Sequence, residues 1–466
     1  MHYVSTRGGS GRRRFEEVLL AGLAEDGGLF VPEAWPRWTR ADFEGLRGCD
    51  YPTTAAAVLR PFVADAFDPS ELAELCRAAY ANFAHAATAP LVQLAADDWL
   101  LELFHGPTLA FKDFALQILA RMFESVLARR GGRLTIVAAT SGDTGSAAIH
   151  AVAGRRQMAI VVLHPHGRIS PVQRRQMTTV DAANVLNLAI EGTFDDCQAL
   201  LKALFADADL RAELGLAAIN SINWARIAAQ AAYYVYAALR LGGLERPPIF
   251  AVPTGNFGDV YAGHVARHLG LPVRRLIVAT NRNDILARFF TTGIYARGEV
   301  VPTRSPSMDI QVASNFERLL FELGGHDPGR VREWMRRFAD SGHIRIDEAI
   351  LRQLACLWAG GTADEAETLA TMSAVYAQTG EIVDPHTAVG IAVGRRLRQP
   401  GEGPLVCLAT AHPAKFPHAV REAIGREPPV PPRLAQMTER TERFEVLPAE
   451  LPRLRERIRA FATGRG

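Results

Sequence analysis

Of the 52 basic residues in this 466-residue chain, only three are lysines: Lys112, Lys202 and Lys415. Arginine stays protonated and cannot act as an amine nucleophile, whereas lysine can lose its proton and attack a carbonyl. Each lysine is therefore a candidate for chemistry. Lys112 leads, because Phe104-His105-Gly106-Pro107-Thr108-Leu109-Ala110-Phe111 precedes it, Asp113-Phe114 follows, and a helix should begin there. A desolvated lysine has a lowered pKa and can hold an aldehyde cofactor as a Schiff base. An arginine-biased composition could also leave three lysines by chance, so residue type alone does not decide. Lys202 falls on an amphipathic stretch, Leu200–Phe205, and reads as a solvated surface charge.

Three loops add to the lysines. Thr140-Ser141-Gly142-Asp143-Thr144-Gly145 lies between an expected strand and an expected helix. Its glycines allow close backbone approach, and its hydroxyls with the free N–H groups of a helix start suit a carboxylate or phosphate; the same residues also make ordinary helix caps. Pro253-Thr254-Gly255-Asn256-Phe257-Gly258-Asp259 has the same placement. It is neither a Walker loop nor a dinucleotide fingerprint. Asp259 is awkward beside a bound dianion, and a helix cap or a partner for nearby N–H groups is its expected role. Leu408-Ala409-Thr410-Ala411-His412-Pro413-Ala414-Lys415-Phe416 puts Thr410 at a strand end, where its hydroxyl could meet a ring nitrogen. His105 reads as a structural histidine, and the thirteen histidines suggest no metal spacing.

The elements that must position these loops alternate. Arg133–Ala138, Ala159–Leu163, Asn184–Ile190, Ile249–Val252, Leu276–Ala279 and Leu405–Leu408 read as strands. Helices are expected from about Ser146, over Phe194–Phe205 and from about Asp259. Such alternation predicts an α/β fold with a mostly parallel sheet, whose ligands sit at the carboxyl ends of strands. After Lys112, the stripe Leu116, Leu119, Phe123, Val126 and Leu127 predicts a core-packed helix that fixes the lysine at its start. Residues 1–95 read as a small helical domain, with helices near Arg14–Leu23, Thr39–Leu46 and Pro69–Phe83. Residues 96–427 form the catalytic region, with a smaller subdomain near 110–200 and a helical insertion near 300–380. Residues 428–466 read as a proline-rich linker and helical tail.

A net charge of +2 gives no field to recruit nucleic acid or a membrane. No apolar run reaches the ~18 residues needed to span a bilayer. Five dispersed cysteines argue against a disulfide framework or zinc site and for a reducing compartment. Glu16 and Glu17 break up any signal-peptide core. A soluble cytoplasmic protein is expected.

Taken together, the motifs resemble the threonine synthase family, in its longer subgroup with an extra amino-terminal domain. Tyr3-Val4-Ser5-Thr6-Arg7-Gly8 and Asp26-Gly27-Gly28-Leu29-Phe30-Val31-Pro32 are similar to its opening segment. His105 to Thr108 with Phe111-Lys112-Asp113, then Thr140–Gly145, Gly255–Asp259 and Ala411–Phe416, are similar to its other motifs, in the same order. The resemblance implies a fold-type II pyridoxal-phosphate enzyme like the tryptophan synthase β-subunit, with two open, mostly parallel sheets flanked by helices. It implies pyridoxal 5'-phosphate as a Schiff base on Lys112, its phosphate held by Gly255, Asn256, Phe257 and Gly258. It implies Thr410 at the pyridine nitrogen and Asp143 near the phenolic oxygen, where many relatives have asparagine. Thr140, Ser141, Gly142 and Thr144 would receive the substrate carboxylate. Lys415, Arg168, Ser5 and Arg7 are candidates for the substrate phosphate.

The implied reaction converts O-phospho-L-homoserine and water into L-threonine and phosphate, with Lys112 as the proton-transferring base. A lyase releasing 2-oxobutyrate, a serine or threonine dehydratase, and a non-catalytic amino-acid sensor on the same fold are the alternatives. The expected partner is a small phosphorylated amino acid, the expected state a monomer or homodimer, and no metal, nucleic acid or membrane is expected.

Overall fold

The computed structural model describes residues 1–140, 142–217 and 221–464. They fall into two compact units. The first comprises Met1–Val18, Leu23–Phe111 and Ser221–Pro429; the second comprises Leu19–Gly22, Lys112–Asn220 and Val430–Gly466. Each carries one large, mostly parallel open sheet, and the first also has two two-stranded antiparallel pairs, so the chain is α/β with the two large sheets expected.

In the first unit the six strands run in the order Trp358–Thr362, Arg275–Thr280, Ile249–Pro253, Leu405–Ala409, Asp98–Glu102 and Leu91–Ala95. All neighbours are parallel except the last pair. Ile249–Pro253 and Leu405–Ala409 are buried at every position, as central parallel strands covered on both faces must be. Ile249, Ala251, Ile277, Leu405 and Cys407 pack with Val389, Ile391 and Val393 of the Pro385–Leu397 helix.

The second unit has five parallel strands in the order Glu445–Pro448, Val185–Glu191, Met158–Pro165, Leu134–Ala139 and Leu216–Ala217. Its core joins Val137, Val161, Leu163 and Leu188 to Leu200 and Leu204 of the Phe194–Ala206 helix. Lys202 on that helix is exposed.

Three stretches differ from the sequence-based expectation. Residues 1–95 contain strands as well as helices. Tyr3–Ser5 pairs antiparallel with Phe30–Pro32, so the two opening motifs are partners. A Cβ on Gly28 would lie 2.2 Å from Ser5 Oγ, which is why that turn needs glycine. Within 300–380, His343–Arg345 pairs with Ile294–Ala296, and Trp358–Thr362 forms a sheet edge. The edge strand reads Trp-Ala-Gly-Gly-Thr because helices press onto it. A Cβ on Gly360 would sit 3.0 Å from Ala287 Cα, and one on Gly361 2.7 Å from Val393 Cγ1. That requirement removed the β-branched run by which strands are read.

The carboxyl segment is likewise built into the second unit. Glu445–Pro448 pairs with Leu188–Glu191. Leu454 and Ile458 of the Leu451–Thr463 helix are buried in that unit's core. Glu442 takes Arg174 Nε at 2.8 Å and Thr178 Oγ1 at 2.7 Å.

Candidate active site

The sequence-predicted residues divide between the units, and each set is locally ordered. In the second unit, Lys112 opens the Lys112–Arg130 helix. Leu116, Leu119, Phe123, Val126 and Leu127 of that helix are buried, as expected of its packing stripe. The Lys112 side chain is only 11% exposed, and its ammonium lies 3.4 Å from Asp143 Oδ2, on a side chain 4% exposed. The other Asp143 oxygen accepts from Gln173 Nε2 at 3.3 Å. Gln173 lies on the Pro171–Thr178 helix, remote in sequence, and nothing local marked it.

The loop before Asp143 is folded by its own threonine. Thr140, 6% exposed, accepts Gly142 N–H at 3.1 Å and Gly145 N–H at 3.2 Å on its hydroxyl. Its own N–H reaches Leu163 carbonyl at 3.0 Å, an ordinary sheet bond. Both glycines are sterically required. A Cβ on Gly142 would lie 2.4 Å from Gln173 Nε2, and one on Gly145 2.1 Å from Thr140 Cγ2. Thr144 sits in the first turn of the Asp143–Val152 helix and is partly exposed. Ser141 lies outside the described residues.

In the first unit, the Ile249–Pro253 strand leads to Gly255–Gly258 and the Gly258–His268 helix. Phe257 adopts a left-handed conformation, φ 66°, directly before that helix. Its ring pays for this strain by packing with Trp358 and Phe316, each at 5.4 Å. Phe257 therefore offers a ligand its backbone, while its side chain belongs to the core. Asn256 carbonyl accepts Asn315 N–H at 3.0 Å, and Asn256 Oδ1 accepts Ser314 Oγ at 3.2 Å. A Cβ on Gly255 would meet Ser307 carbonyl at 2.9 Å, and one on Gly258 Asn315 Nδ2 at 3.1 Å. The turn is thus a glycine-dependent bed at a helix start, where unpaired N–H groups and the helix dipole favour a phosphate.

Asp259 accepts hydroxyls from Tyr233 at 2.5 Å and Tyr234 at 2.9 Å, and the buried Arg226 guanidinium interacts with its charge. Both tyrosines lie on the buried Trp224–Arg240 helix. Their hydroxyls hold the Asp259 carboxylate in place beside the Gly255–Gly258 turn.

Thr410, 6% exposed, ends the Leu405–Ala409 strand. Its carbonyl accepts Phe111 N–H at 2.9 Å, Ala110 bridges to Ala411, and His412 N–H reaches Leu109 carbonyl at 3.0 Å. Leu109 is itself left-handed, φ 59°. Lys415, 3% exposed, donates to Thr108 carbonyl at 2.9 Å. The third loop thereby clamps the segment that leads to the lysine helix. Burial, with repulsion from His105, holds His412 down at about 4, and its Nδ1 accepts Ala414 N–H at 3.1 Å. His105 pairs with Glu102 at 2.7 Å, as a structural histidine should.

Of the other cation candidates, Arg7 is held by Glu317 at 2.8 Å, Ser5 donates to Asp26 at 2.7 Å, and Arg168 is exposed. All five cysteines are free. Among the described residues, no helix is long and apolar enough to cross a membrane. One feature departs from the reading of the histidines: His264 and His268 meet Glu322 in a group with metal-ligand character. Their one-turn spacing was visible in the sequence, but the third member was not.

Residues 2–80 match the family "Threonine synthase N terminus", residues 85–352 "Pyridoxal-phosphate dependent enzyme", and residues 387–458 "Threonine synthase, C-terminal". A threonine synthase of Pseudomonas aeruginosa is 50% identical, over 100% of this chain and 99% of its own length. One of Schizosaccharomyces pombe is 41% identical, over 91% of this chain and 89% of its own. The crystal structure of PLP-bound threonine synthase from Brucella melitensis matches with a TM-score of 0.97 at 50% identity, covering 99% of each chain. That of the yeast enzyme matches at 0.94 and 36% identity, covering 99% of each. With its motifs in order and this likeness from end to end, the chain belongs to the threonine synthase family.

Proposed function

We propose that this chain is a pyridoxal 5'-phosphate-dependent lyase that converts O-phospho-L-homoserine and water into L-threonine and phosphate. The observation that carries the reading is the sheltered Lys112 amine beside Asp143, in a chain alike over its full length to threonine synthases. The residues present suit the cofactor. Lys112 supplies a poorly exposed amine for its aldehyde, and Gly255–Gly258 supply backbone N–H groups and a helix start for its phosphate. Thr410 supplies a neutral hydroxyl for the ring nitrogen. Bound there, pyridoxal phosphate provides an electron sink for the pair left when the substrate's α-proton departs.

The chain's own groups do the rest. Lys112 takes the α-proton and later returns it, and it serves the β-carbon in the same way. Asp143 fixes the direction of the Lys112 side chain and would lie near the phenolic oxygen of the bound cofactor. The loop Thr140, Ser141, Gly142 and Thr144 receives the substrate carboxylate. In this loop the Thr140 hydroxyl oxygen accepts from Gly142 and Gly145, which leaves its O–H to donate to the carboxylate beside Thr144. Lys415 offers its ammonium to the substrate phosphate as it leaves the γ-carbon. The free thiols suit a cytoplasmic enzyme acting as a monomer or homodimer.

Turnover of O-phosphohomoserine with simultaneous detection of threonine, 2-oxobutyrate and phosphate tests the reaction. Threonine and phosphate in equal amounts are expected; 2-oxobutyrate without threonine overturns it. Lys112→Ala should lose the borohydride-reducible visible absorbance and reduce turnover by about a thousandfold or more. Normal turnover in that variant would refute the assignment.

A further inference from the structure

We propose that His264, His268 and Glu322 bind one divalent transition-metal ion of the zinc class, which clamps two helices of the first unit together. His264 and His268 stand one turn apart on the Gly258–His268 helix, and Glu322 projects from the Phe316–Leu323 helix. Their ligand atoms converge. His264 Nε2 lies 2.8 Å and His268 Nε2 3.0 Å from the same oxygen, Glu322 Oε2, and the two nitrogens are 3.1 Å apart.

Protons do not account for all three contacts. If both nitrogens donate to the carboxylate, two N–H groups face each other. If one donates to the other, the acceptor nitrogen turns a lone pair on the carboxylate. A cation at the centre satisfies all three edges at once. Ligands about 2.0–2.1 Å from a tetrahedral zinc ion stand about 3.3 Å apart, close to the spacing found here. Two imidazoles and a carboxylate form a donor set suited to zinc and its neighbours, and less to magnesium or calcium.

The surroundings hold these ligands in place. Tyr261 donates its hydroxyl to Glu322 Oε1 at 2.6 Å, leaving Oε2 for the ion. Trp35 stacks face to face on His268 at 4.1 Å and 2°. His264 and Glu322 also line a cavity of about 480 Å³ with Arg267, Cys356 and Trp358, so water can reach a fourth position. The two helices are already joined near their starts, where Asn315 N–H meets Asn256 carbonyl. The ion would join their far ends.

The test uses purified holoenzyme, stripped with a chelator, reloaded with zinc and passed through gel filtration. One zinc per chain and a higher melting temperature than the stripped protein are expected. Glu322→Gln and His268→Asn should each weaken zinc binding at least about a hundredfold by chelator competition, while Cys356→Ser should not. Absence of retained zinc in the wild type, or unchanged affinity in both ligand variants, overturns the proposal. X-ray absorption of the zinc-loaded wild type needs no variant. Two imidazoles and an oxygen are expected around the ion, and a sulfur ligand would refute the site.

Discussion

Asp143 is the residue through which Lys112 is held, and its charge should matter more than its shape. Asn at this position keeps the size but has a single acceptor oxygen, so it can serve Gln173 or Lys112 and not both, and it removes the charge that assists the bond to Lys112. Asp143→Asn should therefore keep the cofactor absorbance and lower kcat about tenfold, equivalent to about 1.4 kcal/mol in the barrier. Loss of absorbance, or an unchanged kcat, would contradict this role. At this scale the sequence was informative where residue type was rare. Lys112 stood out because only three lysines occur among 52 basic residues. Gln173, Tyr233, Tyr234 and Asn315 stood out in nothing, since each is an ordinary residue that the fold brings from elsewhere. Asp259 was read as a cap because local N–H groups were the only partners the sequence could offer.

Among the elements, the strand-to-helix turns are where packing and chemistry meet. Gly145 illustrates the point, since its missing Cβ makes room for Thr140 Cγ2 and for Met177 Sδ, 2.9 Å from where a Cβ would lie. Gly145→Ala should destabilise the protein by about 1–3 kcal/mol through overpacking. Adding Thr140→Ser removes the Thr140 methyl and should restore much of that loss in denaturant titrations. A double variant no more stable than the single would show that the clash is not the cause. The strands flanking these turns were legible because buried parallel strands are apolar throughout. The Trp224–Arg240 helix was not marked, although residues 224–238 are all buried and its polar Arg226, Gln230 and Tyr233 stand at helical spacing. The three-residue strands near the amino terminus are too short to show alternation.

For the molecule as a whole, histidines buried in neutral form should limit stability in acid, His412 in the first unit and His164 in the second. Burial in the Met158–Pro165 strand holds His164 at about 4, below its ordinary value of 6.5. The unfolded chain then takes the proton first as pH falls. Stability is unaffected above pH 6.5, declines between 6.5 and 4, and levels off below. By pH 5 this one group should cost about 2 kcal/mol. His164→Leu should narrow the difference in unfolding free energy between pH 7.5 and pH 5 by that amount. An undiminished difference would exclude His164 as its source. The alternation of strand and helix was readable from the residue pattern, whereas the interleaving of distant segments between the two units was not. The return of the carboxyl segment to a strand laid down much earlier was not readable either, because a four-residue strand with no fully buried position carries no distinctive pattern.

That return has a consequence for synthesis. The Val185–Glu191 strand leaves the ribosome long before Glu445–Pro448, its eventual neighbour. During elongation its outer edge and the apolar face awaiting Leu454 and Ile458 stay open to solvent. The growing polypeptide must therefore finish its first unit while carrying an incomplete second one, a window in which chaperones have something to hold.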